Sequence, residues 1–312
     1  MALYAFDGTL DDDRTAATDQ EGVAGSTNVW KFYSAYDAYL RPQGISSVYV
    51  PGVGTRFGPI GAAVGGAFGV GWLDRINATH STLCANYLHG DRDIDIIGFS
   101  RGAAIALDFA NKVATSGITK NGSTVEAHPA IRFLGLFDVV AAFGVANLGF
   151  LFSQFNVGHH LTLPSQVEHC FHAIALDERR PQFVVTRVAR AYETWFRGVH
   201  SDIGGGNKNV GLNNIALRWM MRKAILCGLP ITEANISDGA CRPADRIDPS
   251  FFSELSKLTW RDLSAADLLH YTVVQHQPLA DEPCRALVPG ALIETEAFER
   301  ERIAPPQATP TA

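Results

Sequence analysis

The chain has 312 residues, 46% of them hydrophobic and 19% charged, enough apolar material to bury a sizeable core, which excludes a chain disordered throughout. A formal net charge of −6 without any run of Lys or Arg gives no footprint for a phosphate backbone, so a nucleic-acid partner is excluded. Five cysteines, odd in number and without a Cys-x-x-Cys pair, exclude a complete disulfide framework and read as ordinary thiols of a reducing compartment.

The predicted elements begin with a strand, ALYAF (2–6), that runs into Asp7-Gly8-Thr9. Polar and acidic residues start at Asp7, so the N-terminus lacks the basic and apolar regions of a secretory leader. A helix follows at NVWKFYSAYDAYL (28–40), then a strand at SSVYV (46–50) and a Gly-rich stretch, GPIGAAVGGAFGVGW (58–72), read as a loop into a closely packed helix. WLDRINATHSTLCANYLHG (72–90) has helical spacing, DIDIIGF (93–99) reads as a strand, and RGAAIALDFANKVATSG (101–117) reads as a helix. IRFLGLF (131–137), HCFHAIAL (169–176) and ETWFRGV (193–199) are further strands, and NNIALRWMMRKAILCG (213–228) is another helix. The alternation of strand and helix predicts an α/β fold with a mostly parallel central sheet and helices on both faces. The apolar run from Phe133 to Phe152 is long enough to span a bilayer, but Asp138 near its middle and three glycines argue against a transmembrane segment. From Asp238 the chain turns polar and Pro-containing, with a helical pattern near Leu263 to His270. The expected organisation is one domain over residues 1–298, with a catalytic core to about residue 237 and a C-terminal extension over 238–298. Residues 299–312, ending in APPQATPTA, read as a disordered tail.

The sharpest chemical signal is GFSRG, Gly98 to Gly102, between an apolar strand and a small-residue helix, the context of a nucleophile elbow. Glycines on either side permit a turn in which a side chain would clash, and the turn lifts the Ser100 hydroxyl above the strand ends at a helix N-terminus. An acid and a histidine should follow in that order. Asp138 ends the strand IRFLGLF, and His200 follows the strand ETWFRGV just before Gly204-Gly205-Gly206. Asp202 is a rival acid, with a loop-fixing role as its alternative. HCFHA lacks the spacing for a metal site, and no cofactor is called for. His159-His160 reads as a loop feature. The DERRP stretch (177–181) is expected to form a salt-bridged surface turn, with Arg179 or Arg180 as candidate supports of the site. Phe143, Leu148, Phe150, Leu151 and Phe152 either line an acyl pocket or belong to the core.

Two resemblances bear on these residues. YAFDGTL is similar to the first strand of haloacid dehalogenase phosphatases, whose nucleophile is an aspartate two places before the second aspartate, but here that place holds Ala5, which cannot attack phosphorus. FDGT, TNV (27–29), VPGVGT (50–55), GFSRGA, the Phe-Asp pair at 137–138 and GVHSDIGGG (198–206) together resemble the catalytic domain of type VI secretion phospholipase effectors, a family of α/β-hydrolases. One departure is Asn207, which stands where the family usually places an aromatic after the glycines. The resemblance implies a Ser100–His200–Asp138 triad acting on acyl esters of glycerophospholipids. It also implies an oxyanion hole from backbone N–H groups of Arg101 and of Asp7 and Gly8. By the same likeness an immunity protein is an expected partner, and the chain would be cytoplasmic in the producing cell and exported without a signal peptide. A non-catalytic α/β-hydrolase-fold binding module and an esterase or acyltransferase of small esters remain the alternatives.

Overall fold

The computed structural model describes residues 1–8, 26–37, 44–52, 67–141, 161–207, 209–233, 236–247 and 258–302. In chain order the elements are β1 (Ala2–Phe6), α1 (Asn28–Asp37), β2 (Val48–Val50), α2 (Ala67–Leu88), β3 (Ile94–Phe99), α3 (Arg101–Ser116), β4 (Ile118–Lys120), β5 (Ser123–Glu126) and β6 (Ile131–Phe137). They continue with β7 (Val167–Ala175), β8 (Tyr192–Phe196), α4 (His200–Gly204), α5 (Val210–Leu226), β9 (Leu268–His270), β10 (Leu292–Glu294) and β11 (Arg300–Arg302). Among the described residues nine strands form one sheet in the order β2-β1-β3-β6-β7-β8-β9-β10-β11, parallel throughout except for the β10–β11 pair. The fold is α/β, with a mostly parallel central sheet covered on both faces.

A parallel sheet must be covered on both faces, and side-chain alternation divides its residues between two cores. From β1, Ala2, Tyr4 and Phe6 pack with Ile94 and Ile96 against Ala103, Ala106, Leu107 and Phe109 of α3. Leu3 and Ala5 point the other way and pack with Ile97 and Phe99 against α1 and α5, through Val29, Phe32, Leu212 and Met220. The alanine stripe of α3 lets that helix lie close to the sheet, which fixes its N-terminus over the ends of β1 and β3. Among the described residues no helix is long and apolar enough to cross a membrane. Phe133–Phe137 of the long apolar run is instead the buried strand β6, while residues 142–152, including the suggested acyl-pocket positions, lie outside the described residues. His159 and His160 lie outside them too.

Two expectations change. Leu263–His270 is not a helix: it is a loop leading into β9, whose Leu268 and Leu269 pair with Thr194 and Trp195 of β8, so burial between two strands overrides the local spacing. The tail does not begin at residue 299, because Arg300–Arg302 pairs antiparallel with β10 and ends the sheet on a charged, exposed strand. The β4–β5 hairpin was not foreseen, although Asn121-Gly122, both at positive φ, is a hairpin-turn signal.

Candidate active site

Ser100 sits between β3 and α3 with φ 58° and ψ −125°, a conformation that costs a non-glycine residue about 1–3 kcal/mol and so has to be held by its surroundings. They do hold it. The Ser100 N–H donates to the Phe137 carbonyl at 2.9 Å, and its carbonyl accepts from Ala103 and Val140 at 3.1 and 3.3 Å. A Cβ on Gly98 would lie 2.7 Å from the Ala103 Cα, and one on Gly102 would lie 2.4 Å from the Phe6 carbonyl oxygen, so only glycines allow the strand, turn and helix to meet this closely.

Asp138 follows β6 with φ 42° and is wholly buried. His200 opens α4, directly after β8. The His200 imidazole bridges the two: Nε2 lies 2.8 Å from Ser100 Oγ and Nδ1 lies 2.6 Å from Asp138 Oδ2. Because an ionised carboxylate only accepts, Nδ1 carries the proton and Nε2 is left to accept from the serine hydroxyl. The ring is sandwiched by Phe99 and Phe183, each with its centroid 4.7 Å away. Gly204 makes room for Phe99, since a Cβ there would come within 1.8 Å of Phe99 Cε2.

Asp138 has further partners that its place in the sequence did not reveal. Arg261 grips both of its oxygens, Nη1 to Oδ1 at 2.6 Å and Nη2 to Oδ2 at 2.9 Å, and the Ala175 N–H donates to Oδ1 at 2.9 Å. Burial alone would raise the Asp138 pKa, but Arg261 and the bond from His200 outweigh it and hold the carboxyl well below the usual range. Next to it, the Val139 N–H donates to His172 Nε2 at 3.1 Å, while His172 Nδ1 pairs with Glu193 at 3.0 Å. His172 of HCFHA is therefore a scaffold for the Asp138 turn. Among the described residues no group of three or more His, Cys, Asp or Glu is placed to hold a metal ion.

Asp202 does not reach the His200 ring nitrogens. Its Oδ2 accepts the Val199 N–H at 2.9 Å, and Oδ1 accepts the amides of Asn207 at 2.7 Å and Asn209 at 3.0 Å, which fixes the loop around α4. Burial pushes its pKa up to about 7 despite these bonds. Asn207, where an aromatic was expected, thus serves as a partner of this acid.

The DERRP stretch is not a surface turn. Glu178 is 1% exposed, bonds Arg180 at 2.8–2.9 Å, and accepts the His200 backbone N–H at 3.1 Å. The Arg180 pair outweighs burial and holds the Glu178 pKa below its ordinary value. Arg180 also stacks on Phe183, 3.7 Å from its centroid, and so braces the ring that packs on His200. Only the local run of charges was readable in the sequence; its burial comes from the strands on either side.

The loop after β1 also differs in detail from expectation. The Asp7 N–H remains in the sheet ladder, donating to the Val50 carbonyl at 2.9 Å, and the Gly8 N–H donates to Asp7 Oδ1 at 2.7 Å. Both N–H groups thus have acceptors within the protein, and the sheet ladder withdraws the Asp7 N–H from the expected oxyanion role. Asp7 contributes its carboxylate instead, which accepts the hydroxyls of Thr27 and, at 2.5 Å, of Tyr49. Asn28 then binds the carbonyls of Ile203 and Asn213 at 2.8 and 2.9 Å, so Thr27-Asn28 ties the first loop to the glycine loop after His200. Gly8 abuts the nucleophile turn, where a Cβ would lie 3.0 Å from Ser100 Cβ.

A family model described as the type VI secretion (T6SS) phospholipase effector Tle1-like catalytic domain matches residues 3–128 and 119–223. Among solved structures, the chain is similar to the Tle1 effector bound to the VgrG spike of the type VI secretion system, at 24% identity over 67% of this chain and 51% of that one, with a TM-score of 0.49. It is also similar to an uncharacterized protein from Pseudomonas aeruginosa, at 22% identity over 74% of this chain and 46% of that one, with a TM-score of 0.47. The chain spans about half the length of these two structures. No curated protein matches it.

Proposed function

The chain belongs to the family of Tle1-like catalytic domains of type VI secretion phospholipase effectors, and on that premise we propose that it is a serine hydrolase cleaving acyl esters of glycerophospholipids. The observation that carries this reading is the hydrogen-bonded chain from Ser100 Oγ through the His200 imidazole to Asp138, with both links at 2.6–2.8 Å and all three side chains buried in one strained turn cluster. Ser100 is the nucleophile. His200 Nε2 removes the hydroxyl proton as Oγ attacks the ester carbonyl, then returns it to the leaving alkoxide. Asp138 holds the Nδ1–H tautomer and stabilises the imidazolium, and water attacks the acyl-enzyme by the same route.

Negative charge on the carbonyl oxygen develops at the N-terminus of α3, where the Arg101 N–H and the helix dipole favour it. Gly8, in contact with the Ser100 turn, supplies the second N–H once the oxyanion replaces Asp7 Oδ1 as its acceptor. Family membership supports lipid as the substrate. Val184 follows Phe183 in the chain and is 61% exposed, and Trp260 precedes Arg261 and is 39% exposed, so an exposed apolar and a partly exposed amphipathic side chain adjoin in sequence the residues that hold His200 and Asp138. As an effector, the chain would act outside the producing cell and be neutralised inside it by an immunity protein.

The test is release of free fatty acid from phosphatidylethanolamine and phosphatidylglycerol vesicles, with Ser100→Ala as control. Release by the wild type alone is expected. Ser100-dependent turnover of soluble short-chain esters without release from vesicles would replace the phospholipase reading with that of a small-ester esterase.

A further inference from the structure

The residues matched by the family model end at 223, yet the group most tightly bound to Asp138 comes from beyond them. Arg261 is buried, reaches Asp138 with two nitrogens, and is itself held by the carbonyls of Ala175 at 2.9 Å and Phe183 at 2.7 Å, while Arg285 donates to the Arg261 carbonyl. One side chain therefore ties together the end of β6, the end of β7 and the turn whose phenylalanine packs on His200.

We infer that Arg261, supplied by the C-terminal extension, is a positioning residue of the Ser100–His200–Asp138 unit, fixing the direction in which the Asp138 carboxylate meets His200. The inference rests on the triad reading above and goes beyond it. A carboxylate hinged at one Cβ can rotate; with both oxygens gripped by a planar fork and Oδ1 also bound by the Ala175 N–H, it presents one remaining direction on Oδ2, and that direction meets His200 Nδ1. Arg261 Nη2 and His200 Nδ1 share that oxygen as acceptor, at 2.9 and 2.6 Å, so the guanidinium sets where the imidazole N–H is received.

Other charged groups face this cluster from every side. Glu178 binds the His200 N–H and is itself paired with Arg180. Asp177 is paired with Arg197, and Asp202, on the helix of His200, turns toward Val199 and two asparagines. Of the cations among these groups, Arg261 alone bonds the carboxylate that His200 uses.

The experiment is the rate of fluorophosphonate labelling of Ser100 in the full chain, with the low-field proton resonance of the His200 Nδ1–H recorded alongside, for the wild type, Arg261→Gln, Arg261→Lys and Ser100→Ala. This readout needs no lipid, so it separates the inference from the choice of substrate. The wild type is expected to be labelled and Ser100→Ala not, with the labelling rate of Arg261→Gln lowered about tenfold or more and its Nδ1–H resonance lost or moved. Arg261→Lys keeps the charge but not the fork, so its labelling rate falls as well. A wild-type rate and resonance in Arg261→Gln would overturn the inference while leaving the triad intact. If Arg261→Gln does not fold, Arg261→Lys decides, and a wild-type rate and resonance in that variant overturn it as well. An unlabelled wild type overturns both readings.

Discussion

Replacing Asp138 with asparagine should damage activity and stability together, whereas removing the Ser100 hydroxyl should damage activity alone. Asp138 accepts four bonds, two on each oxygen: Oδ1 from Ala175 N–H and Arg261, and Oδ2 from His200 and Arg261. An amide has one oxygen for these four donors. With its NH2 toward His200, the imidazole must adopt the opposite tautomer and offer Ser100 an N–H in place of a lone pair, which in such triads costs about 10⁴ in turnover. With its NH2 toward Ala175, a backbone N–H and a guanidinium meet a donor. Either way the negative charge that compensates buried Arg261 is gone, and breaking a buried pair in this way typically costs about 3–5 kcal/mol. At roughly 2 °C per kcal/mol for a chain of this size, the melting temperature should fall by about 6–10 °C. Ser100→Ala removes one hydroxyl at a strained turn and leaves the ion pair intact, so its melting temperature should stay within about 2 °C of the wild type. Differential scanning fluorimetry with parallel fluorophosphonate labelling reads both quantities. Asp138→Asn labelled within tenfold of the wild-type rate would refute the acid role of Asp138, and an unchanged melting temperature would refute its pairing with Arg261.

Asp202, with a folded pKa near 7 against an ordinary value of 3.8, contributes stability that is complete below the lower value and lost as pH rises through the higher one. Asp202→Asn should therefore gain on the wild type by about 3 kcal/mol between pH 5 and pH 8 in urea unfolding, and parallel stability curves would exclude this titration. Gly204→Ala places a Cβ 1.8 Å from Phe99 Cε2; displacing that ring should cost about 1–3 kcal/mol and slow Ser100 labelling, and a variant matching the wild type in both would show that Phe99 does not hold His200. Val184→Ser should lower fatty acid release from vesicles while leaving soluble-ester turnover within about twofold, because this side chain is 61% exposed; an equal loss on both substrates would remove it from lipid contact.

What the sequence made legible was whatever depends on neighbours along the chain. The strand, turn and helix of GFSRG could be read because the glycines, the apolar strand before them and the small-residue helix after them are contiguous, and the central strands were recognisable from unbroken apolar runs that only a doubly covered sheet accommodates. What escaped was whatever depends on partners distant in the chain. Arg261 lies in a polar stretch that looks like surface, and it becomes part of the site because β9 and β10 extend the sheet and bring the loop before them over the end of β6, a juxtaposition spanning 123 positions. Glu178 looked like one member of a solvated charge run for the same reason, since its burial depends on β7 and β8 flanking it. Asp202 could be placed only halfway: an acid two residues from a histidine can orient the ring or tie down the loop, and the choice was made by Asn207 and Asn209, whose amides leave it no direction toward the imidazole. The acid that does face the imidazole is the one whose charge Arg261 balances. A buried carboxylate beside a histidine stays ionised through the charges and hydrogen bonds around it, and here the guanidinium that grips both oxygens comes from the C-terminal extension, a segment whose role the sequence did not reveal.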